Sequence, residues 1–235
     1  MTGAGSNHER LAAAQDSECI ILYNSRRAGR VGGANTKRPR TRTPMHYEVE
    51  QKFVLADPVE LAKRLSALGA SAVGQCDQVD CYYSHPARDF SVTDEALRIR
   101  RVDGQALVTY KGPKIDRETK TRQEIELALP AGATTAIDFG RLFEALGFAP
   151  VAEVHKHRRT FHLAWQGQDV EAALDEVAGL GQFVELEISA TGETVDAARG
   201  ALVGLAAHLE LGTSERRSYL ELLLARPEGI RRPSA

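Results

Sequence analysis

The chain has 235 residues, of which 43% are hydrophobic and 26% charged, enough for one globular domain with a sizeable core and extra segments. No apolar run approaches the ~20 residues that span a bilayer, and the N-terminus lacks the residue order of a secretory signal, so we predict a cytoplasmic protein without a membrane partner. Cys19, Cys76 and Cys81 have no CxxC spacing, which disfavours a disulfide framework and a zinc site.

The net charge of −2 hides an uneven distribution of charge along the chain. Residues 1–44 hold eight Lys/Arg against three Asp/Glu, which leaves 22 basic and 29 acidic residues in the rest. The composition of residues 1–44 predicts a disordered basic extension. An alternative is that translation starts at Met45. The acidic remainder disfavours general binding of nucleic acid, whereas carboxylates gathered at one place would suit divalent cations.

The first predicted strand places its charges on one face. In the stretch from Glu48 to Lys52, Glu48, Glu50 and Lys52 point to the same side because side chains alternate along a strand. A half-buried strand with a solvated charged face has the same pattern. However, charged residues at every second position recur in four other segments: Arg98 and Arg100; Arg122, Glu124 and Glu126; Lys156 and Arg158; and Glu185 and Glu187.

The other elements follow in chain order. Asp57 and Pro58 predict a helix start, and Leu61, Leu65 and Leu68 continue at helical spacing until Gly69. Further strands are predicted at 78–84, 96–102, 106–111, 121–129, 151–165, 168–177 and 183–190, with helices at about 136–146 and 195–211 and a last apolar piece at 219–225. Asp103-Gly104 between two of these strands indicates a tight hairpin.

About eight strands joined mainly by hairpins predict an antiparallel α+β fold. If helices cover the apolar strand faces from outside, the charged faces turn inward, and a closed or nearly closed β-barrel with an ionic tunnel results. Buried charges are costly unless they are paired or bound to ions. Because Arg and Lys suit phosphoryl oxygens while Asp and Glu suit Mg²⁺ or Mn²⁺, the sequence predicts a polyphosphate substrate accompanied by metal.

Several motifs carry a resemblance to a known family. Glu48-x-Glu50-x-Lys52 resembles the ExExK signature of the CYTH superfamily, the triphosphate tunnel metalloenzymes. The segments HPARDFSVTDEALRIR, TYKGPK, TRQEIEL, LDEVAGLGQFVELE and ERRSYLELL are similar to its class IV adenylyl cyclase branch, in order and with plausible spacing. The resemblance covers residues 45–225 and leaves 1–44 and a tail at 226–235 outside.

The resemblance implies an eight-stranded antiparallel tunnel with helices packed outside, and roles for its charged residues. The implied metal ligands are Glu48, Glu50, Asp175, Glu185 and Glu187. The groups implied to bind the triphosphate are Lys52, Arg98, Arg100, Lys111, Arg122, Lys156 and Arg158. Glu124 and Glu126 are expected to be lumen carboxylates that orient these cations or assist the metal site.

The implied activity is that of a class IV adenylate cyclase, which converts ATP to cyclic AMP and pyrophosphate. A thiamine triphosphatase or inorganic triphosphatase would use the same lumen, with water as the nucleophile, so the charges alone do not separate these reactions. A non-catalytic polyphosphate- or nucleotide-binding module is a further alternative, although carboxylates beside an anionic ligand disfavour it. The last apolar piece, residues 219–225, could cover a barrel end or form a homodimer contact.

Overall fold

The computed structural model describes residues 46–115, 119–132 and 134–226. Its elements are β1 (His46–Val54), α1 (Pro58–Ala67), β2 (Ser71–Ser84), α2 (Phe90–Thr93), β3 (Ala96–Val102), β4 (Gln105–Lys111), β5 (Arg122–Ala128), α3 (Thr135–Ala145), β6 (Ala149–Trp165), β7 (Gln168–Val177), β8 (Gly181–Thr191), α4 (Val195–His208) and α5 (Tyr219–Leu224). The predicted disorder of residues 1–44 lies outside the described residues, as does the predicted tail apart from Arg226.

The eight strands form one closed antiparallel barrel in the order β1-β5-β4-β3-β2-β6-β7-β8. Five neighbouring pairs are also consecutive in sequence, and β1 closes the barrel because it pairs with both β5 and β8. The predicted eight-stranded antiparallel α+β barrel is therefore confirmed.

The hairpin between β3 and β4 has the predicted geometry. Asp103 and Gly104 form its two-residue loop, with φ of 46° and 74°. Positive φ at both central residues is the mark of a type I′ turn, whose twist matches the twist of the flanking strands. This turn fixes the register in which Arg98 lies opposite Thr109.

Helices pack on the outside of the barrel and cover much of its apolar face. The side chain of Asp57 accepts hydrogen bonds from the backbone N–H groups of Val59 and Glu60 and so caps α1. Leu202 and Leu205 of α4 are fully buried in a core that also contains Val49 of β1. Since Val49 faces this core, its neighbours Glu48 and Glu50 turn inward, as predicted.

The helical cover is incomplete at β5. Its outward residues Ile125 and Leu127 are 47% and 60% exposed, so the expectation of helices over the apolar strand faces does not hold there. No helix in the described ranges has both the length and the apolar character required to cross a lipid bilayer.

Three strands begin two or more residues before their predicted starts, and a short helix was missed. β2 begins at Ser71 rather than at residue 78, because its first part pairs only with β6 and has little alternation of burial. β6 begins at Ala149 and β8 at Gly181, each two residues before the predicted start. The missed helix, α2, has only four residues and therefore no helical periodicity to detect.

Candidate functional site

The barrel lumen contains a narrow cavity of about 50 Å³ surrounded by charged side chains. Twelve charged residues of the described chain line it: the cations Lys52, Arg98, Arg100, Lys111, Lys120, Arg122, Lys156 and Arg158, and the carboxylates Glu48, Glu50, Glu185 and Glu187. Cations therefore outnumber carboxylates two to one on this surface. Such a surface favours anionic ligands.

Eleven of the fourteen residues that the sequence singled out line this cavity. They come together because each lies at an inward position of its strand, and closure of the barrel turns the charged faces of six strands toward one lumen. The other three, Asp175, Glu124 and Glu126, lie near the cavity residues without lining the cavity itself.

Glu48 of β1 is paired with Lys111 of β4 across the lumen. Both carboxylate oxygens of Glu48 accept from the Lys111 ammonium group at 2.7 Å, and Glu124 lies 3.4 Å from the same nitrogen. Burial lowers the pKa of Lys111, although Glu48 opposes this effect. The pair is thus held out of bulk water by the barrel wall.

Glu50 is paired with Lys120, a cation that sequence reasoning missed. The ammonium group of Lys120 donates to Glu50 at 2.7 Å, and the backbone N–H of Lys120 donates to the Glu50 carbonyl at 2.8 Å. Burial raises the pKa of Glu50, but Lys120 outweighs it and the pKa falls to about 2. Lys120 lies in the loop before β5, where no alternation of residues marks an inward position.

Lys52 is buried in the lumen without an acceptor. Its side chain is 1% exposed, and its ammonium nitrogen has no hydrogen-bond partner among the described residues. The nitrogen lies 4.0 Å from the centre of the Tyr219 ring, a cation–π contact. Burial, together with the nearby charge of Lys120, lowers the pKa of Lys52 to about 7.

Asp80 of β2 is a second residue that sequence reasoning missed. Its oxygens accept from Arg100 at 2.7 and 2.8 Å and from Arg98 at 3.2 Å, and the residue is fully buried. Burial raises its pKa, but the two guanidinium groups hold the pKa well below its usual range. The inward period of two, which Asp80 shares with Tyr82, was a signal that could have identified it.

Asp175 of β7 does not line the cavity but orients Arg158, which does. Arg158 donates to both carboxylate oxygens, the Tyr219 hydroxyl donates at 2.9 Å, and Lys156 lies 3.4 Å away. Arg158 also donates to Glu185, which does line the cavity. Both oxygens of Asp175 already accept hydrogen bonds in this structure. Its role as a metal ligand stays a prediction.

The four lumen carboxylates have the chemistry that a hard divalent cation requires. Glu50 and Glu187 lie directly opposite each other on β1 and β8, where like charges repel. Glu48 raises the pKa of Glu50, and Glu50 in turn raises that of Glu185, although cations outweigh both effects. Within the described ranges, no group of three or more His, Cys, Asp or Glu forms a ready-made metal site. Carboxylate oxygens are the ligand type that Mg²⁺ and Mn²⁺ prefer. These residues can therefore bind such an ion once Lys111 and Lys120 move away from Glu48 and Glu50.

Comparisons with known proteins agree with this barrel. The CYTH domain model matches residues 46–219. A protein of Methanocaldococcus jannaschii named "Putative adenylate cyclase MJ0240" is 38% identical over 178 residues, which cover 74% of this chain and 97% of the relative. The solved structure of the PH1819 protein from Pyrococcus horikoshii is 39% identical with a TM-score of 0.65, and the match covers 75% of this chain and 98% of that one.

A more distant solved structure shows the fold alone. It is described as a "putative adenylate cyclase" from Vibrio parahaemolyticus, is 24% identical, and has a TM-score of 0.63. The match covers 76% of this chain and 98% of that one. The family model spans the whole barrel, from β1 to the first residue of α5. The chain belongs to the CYTH domain family.

Proposed function

We propose that this protein is a metal-dependent enzyme that binds a triphosphate in the barrel lumen and acts as a class IV adenylate cyclase, converting ATP to cyclic AMP and pyrophosphate. The observation that carries this proposal is the excess of cations on the lumen surface, eight against four carboxylates. The cyclase assignment also draws on the M. jannaschii relative, which carries the name of an adenylate cyclase.

Two buried donor atoms of the lumen cations have no acceptor, which favours an anion in the lumen. The ammonium nitrogen of Lys52 and the Nε of Arg122 are buried without a hydrogen-bond partner among the described residues. A buried donor without an acceptor is costly, and phosphoryl oxygens would satisfy these two donors. Triphosphate binding would also let Lys111 and Lys120 move from Glu48 and Glu50 to the phosphates, which frees these two carboxylates.

The freed carboxylates suit a divalent cation. Glu48, Glu50, Glu185 and Glu187 would hold Mg²⁺ or Mn²⁺, in keeping with the preference of these ions for oxygen ligands and substrate phosphates. When bound, such an ion supplies charge neutralisation at the phosphates and lowers the pKa of a coordinated hydroxyl.

The chain's own residues bind and orient the substrate. The proposed triphosphate ligands are Lys52, Arg98, Arg100, Lys111, Lys120, Arg122, Lys156 and Arg158. Asp80 accepts hydrogen bonds from Arg98 and Arg100 of β3, and Asp175 accepts them from Arg158. The three guanidinium groups are therefore oriented before the substrate binds. Preorganised cations stabilise the charge that develops on the phosphoryl oxygens when the ribose 3′-hydroxyl attacks the α-phosphorus and pyrophosphate leaves.

A thiamine triphosphatase or inorganic triphosphatase remains the second candidate, since water could attack the terminal phosphorus in the same lumen. A binding module without turnover is the third, and the four lumen carboxylates disfavour it because they would repel a simple anionic ligand. A cytoplasmic location, the lack of a nucleic-acid partner and a homodimer remain predictions.

Product analysis tests the proposal. We expect purified protein with ATP and Mn²⁺ or Mg²⁺ to release cyclic AMP and pyrophosphate in equal amounts, resolved by chromatography. Glu50→Gln should lower this turnover by roughly a hundredfold or more, because it removes one proposed metal ligand. Lys63→Met, on the exposed surface of α1, is the control and should retain activity.

Each other outcome selects an alternative. Orthophosphate without cyclic AMP, from ATP, thiamine triphosphate or tripolyphosphate, would contradict the cyclase and support a triphosphatase. Tight binding of tripolyphosphate with no turnover, and no loss of binding in Glu50→Gln, would support the binding module.

A further inference from the structure

Tyr219, the first residue of α5, places a buried aromatic ring in the wall of the lumen. The residue is 5% exposed and lines the narrow cavity together with Lys52 and Lys156. The ammonium nitrogen of Lys52 lies 4.0 Å from the centre of the ring, and that of Lys156 lies 5.3 Å from it. Of these two lysines, Lys52 therefore has the stronger cation–π contact.

Contacts at two points fix the orientation of the Tyr219 ring. Its hydroxyl group donates to the fully buried carboxylate of Asp175 at 2.9 Å. The Phe183 ring packs against it at an angle of 68°, with 5.2 Å between the ring centres. If the ring turned away from Lys52, a buried hydrogen bond and an aromatic contact would be lost.

The segment that precedes α5 is attached to the backbone of Lys52 itself. The backbone N–H of Glu215 donates to the Lys52 carbonyl at 2.6 Å, and Ser214 pairs with Phe53 in an isolated β-bridge. Only three residues separate Glu215 from Tyr219 along the chain. The position of the Tyr219 ring is therefore tied to the strand that carries the Lys52 side chain.

The ring holds Lys52 in a different way from the carboxylates that hold two other lumen lysines. Lys111 and Lys120 each donate to a carboxylate at 2.7 Å, so a phosphate group would have to displace that acceptor. An aromatic face attracts an ammonium group electrostatically and uses none of its three N–H donors. Since the Lys52 nitrogen has no hydrogen-bond partner in the described ranges, its donors are available to an anion.

A carboxylate is within reach of Lys52 if the ring is removed. Glu185 lies directly opposite Lys52 on the neighbouring strand β8, where opposite charges attract. In the structure, Glu185 accepts from Arg158 instead. Without the ring, we expect Lys52 to move to Glu185 and so to become a poorer ligand for phosphate.

We propose that Tyr219 is a positioning residue whose ring holds the Lys52 ammonium group beside the lumen cavity, away from Glu185, with its N–H donors available to the triphosphate. The ring and a phosphate group can act on Lys52 together, because the ring attracts its charge and the phosphate accepts its hydrogen bonds. Tyr219 thus acts through Lys52 rather than on the substrate. The proposal rests on the proposed function, since it needs a triphosphate in the lumen.

A double-mutant cycle tests this role, because it isolates the interaction between two residues from their separate effects. Tyr219→Leu removes the ring, Tyr219→Phe keeps the ring and removes the hydroxyl group, and Lys52→Met is combined with Tyr219→Leu. Phe161→Leu is the matched control for loss of a buried ring, because Phe161 is 7% exposed, lies in the core under the helices and does not line the lumen.

The dissociation constant of tripolyphosphate is measured by calorimetry for every variant, with Ca²⁺ as the metal, and circular dichroism checks folding. The measurements are made near pH 6, because burial lowers the pKa of Lys52 to about 7 and its ammonium form predominates below that value.

We expect Tyr219→Leu to weaken tripolyphosphate binding by about tenfold, which corresponds to about 1.4 kcal/mol and lies within the range of a desolvated cation–π contact. Tyr219→Phe and the Phe161→Leu control should both stay within about threefold of the unchanged protein. In the Lys52→Met background, Tyr219→Leu should weaken binding by no more than about threefold, since only the longer contact with Lys156 and the hydroxyl group are then lost.

Two results would overturn the proposal. One is unchanged binding in a folded Tyr219→Leu variant. The other is an equal loss from Tyr219→Leu with and without Lys52→Met, because the ring would then act independently of Lys52. If the unchanged protein bound no tripolyphosphate, the proposed function itself would fail.

NMR supplies a test that does not require Tyr219→Leu to fold. The ring current of Tyr219 should shift the ε-methylene protons of Lys52 upfield, in signals that are identified by their loss in Lys52→Arg. The upfield shift should persist in Tyr219→Phe and after tripolyphosphate is added. Disappearance of the shift on addition of tripolyphosphate would show that the ring releases Lys52 in the complex, contrary to the proposal.

Discussion

At the scale of single residues, Lys52 has the most unusual environment in the lumen. It is buried against the Tyr219 ring without an acceptor, and burial together with Lys120 lowers its pKa to about 7. We expect NMR of the lysine Nζ groups in EDTA to show one signal with a titration midpoint near 7, against about 10.4 for a solvated lysine. That signal should be absent from Lys52→Arg.

Tripolyphosphate should raise the midpoint, because an anion beside Lys52 stabilises the ammonium form. A Lys52 signal that stays fully protonated above pH 9 in the free protein would contradict the prediction. The same titration bears on chemistry, since a lysine with a pKa near 7 can exchange a proton at neutral pH, whereas its solvated counterpart stays charged.

At the scale of elements, two helical glycines lie in contrasting surroundings. A Cβ on exposed Gly200 of α4 would meet no atom within 4 Å, whereas one on buried Gly140 of α3 would lie 2.8 Å from the Tyr83 hydroxyl. We expect Gly200→Ala to raise the free energy of unfolding by about 1 kcal/mol, the usual helix gain. Gly140→Ala should lower it, because the Tyr83 ring is packed against Phe143.

Urea unfolding followed by circular dichroism measures both changes, and each variant serves as the control for the other. Equal stabilisation by the two substitutions would mean that Tyr83 moves aside freely. In that case the Tyr83 ring is packed less tightly than its contact with Phe143 indicates.

At the scale of the whole molecule, the buried ion pairs make stability depend on pH. Cations outweigh burial and hold the pKa of Glu50 and of Glu185 at about 2, below the ordinary 4.5. Their stabilisation is complete above pH 4.5 and is lost as the pH falls toward 2. Burial lowers the pKa of Lys52 to about 7 and that of Lys156 to about 8, from 10.5. Below these pKa values both lysines are charged, and burial of their charge lowers the free energy of unfolding by its full amount. This destabilisation declines as the pH rises toward 10.5, because the folded protein then holds the lysines in their neutral form.

We therefore expect the free energy of unfolding to fall by several kcal/mol between pH 4.5 and 2, at about 1.4 kcal/mol per pKa unit per group. It should rise between about pH 7 and 10 over the range in which these two lysines lose their protons. Urea unfolding at a series of pH values measures both changes, and Glu50→Gln should show a shallower acid loss. A curve that is flat from pH 4.5 to 2 would contradict the ion-pair account.

The sequence by itself determined most of the inward charges, though not Lys120 and Asp80, and the barrel that contains them. Alternation is a local property of a strand, so Glu48, Glu50 and Lys52 were assigned to one face before any pairing was known. The Asp103-Gly104 turn was likewise visible because its backbone requirement is met by two adjacent residues. The signature from Glu48 to Lys52 and the segments that follow it were enough to indicate the CYTH family.

Only the tertiary structure decided which charges are partners and which distant residues share a cavity. Lys120 contacts Glu50 from a loop in which side chains do not alternate between two faces. Asp80 contacts Arg98 and Arg100 because of the register of β2 against β3. A cavity of about 240 Å³ is lined by both Phe90 and Leu224, which are separated by most of the barrel sequence. Register and barrel closure depend on contacts between distant residues, and no local pattern of residue types contains that information.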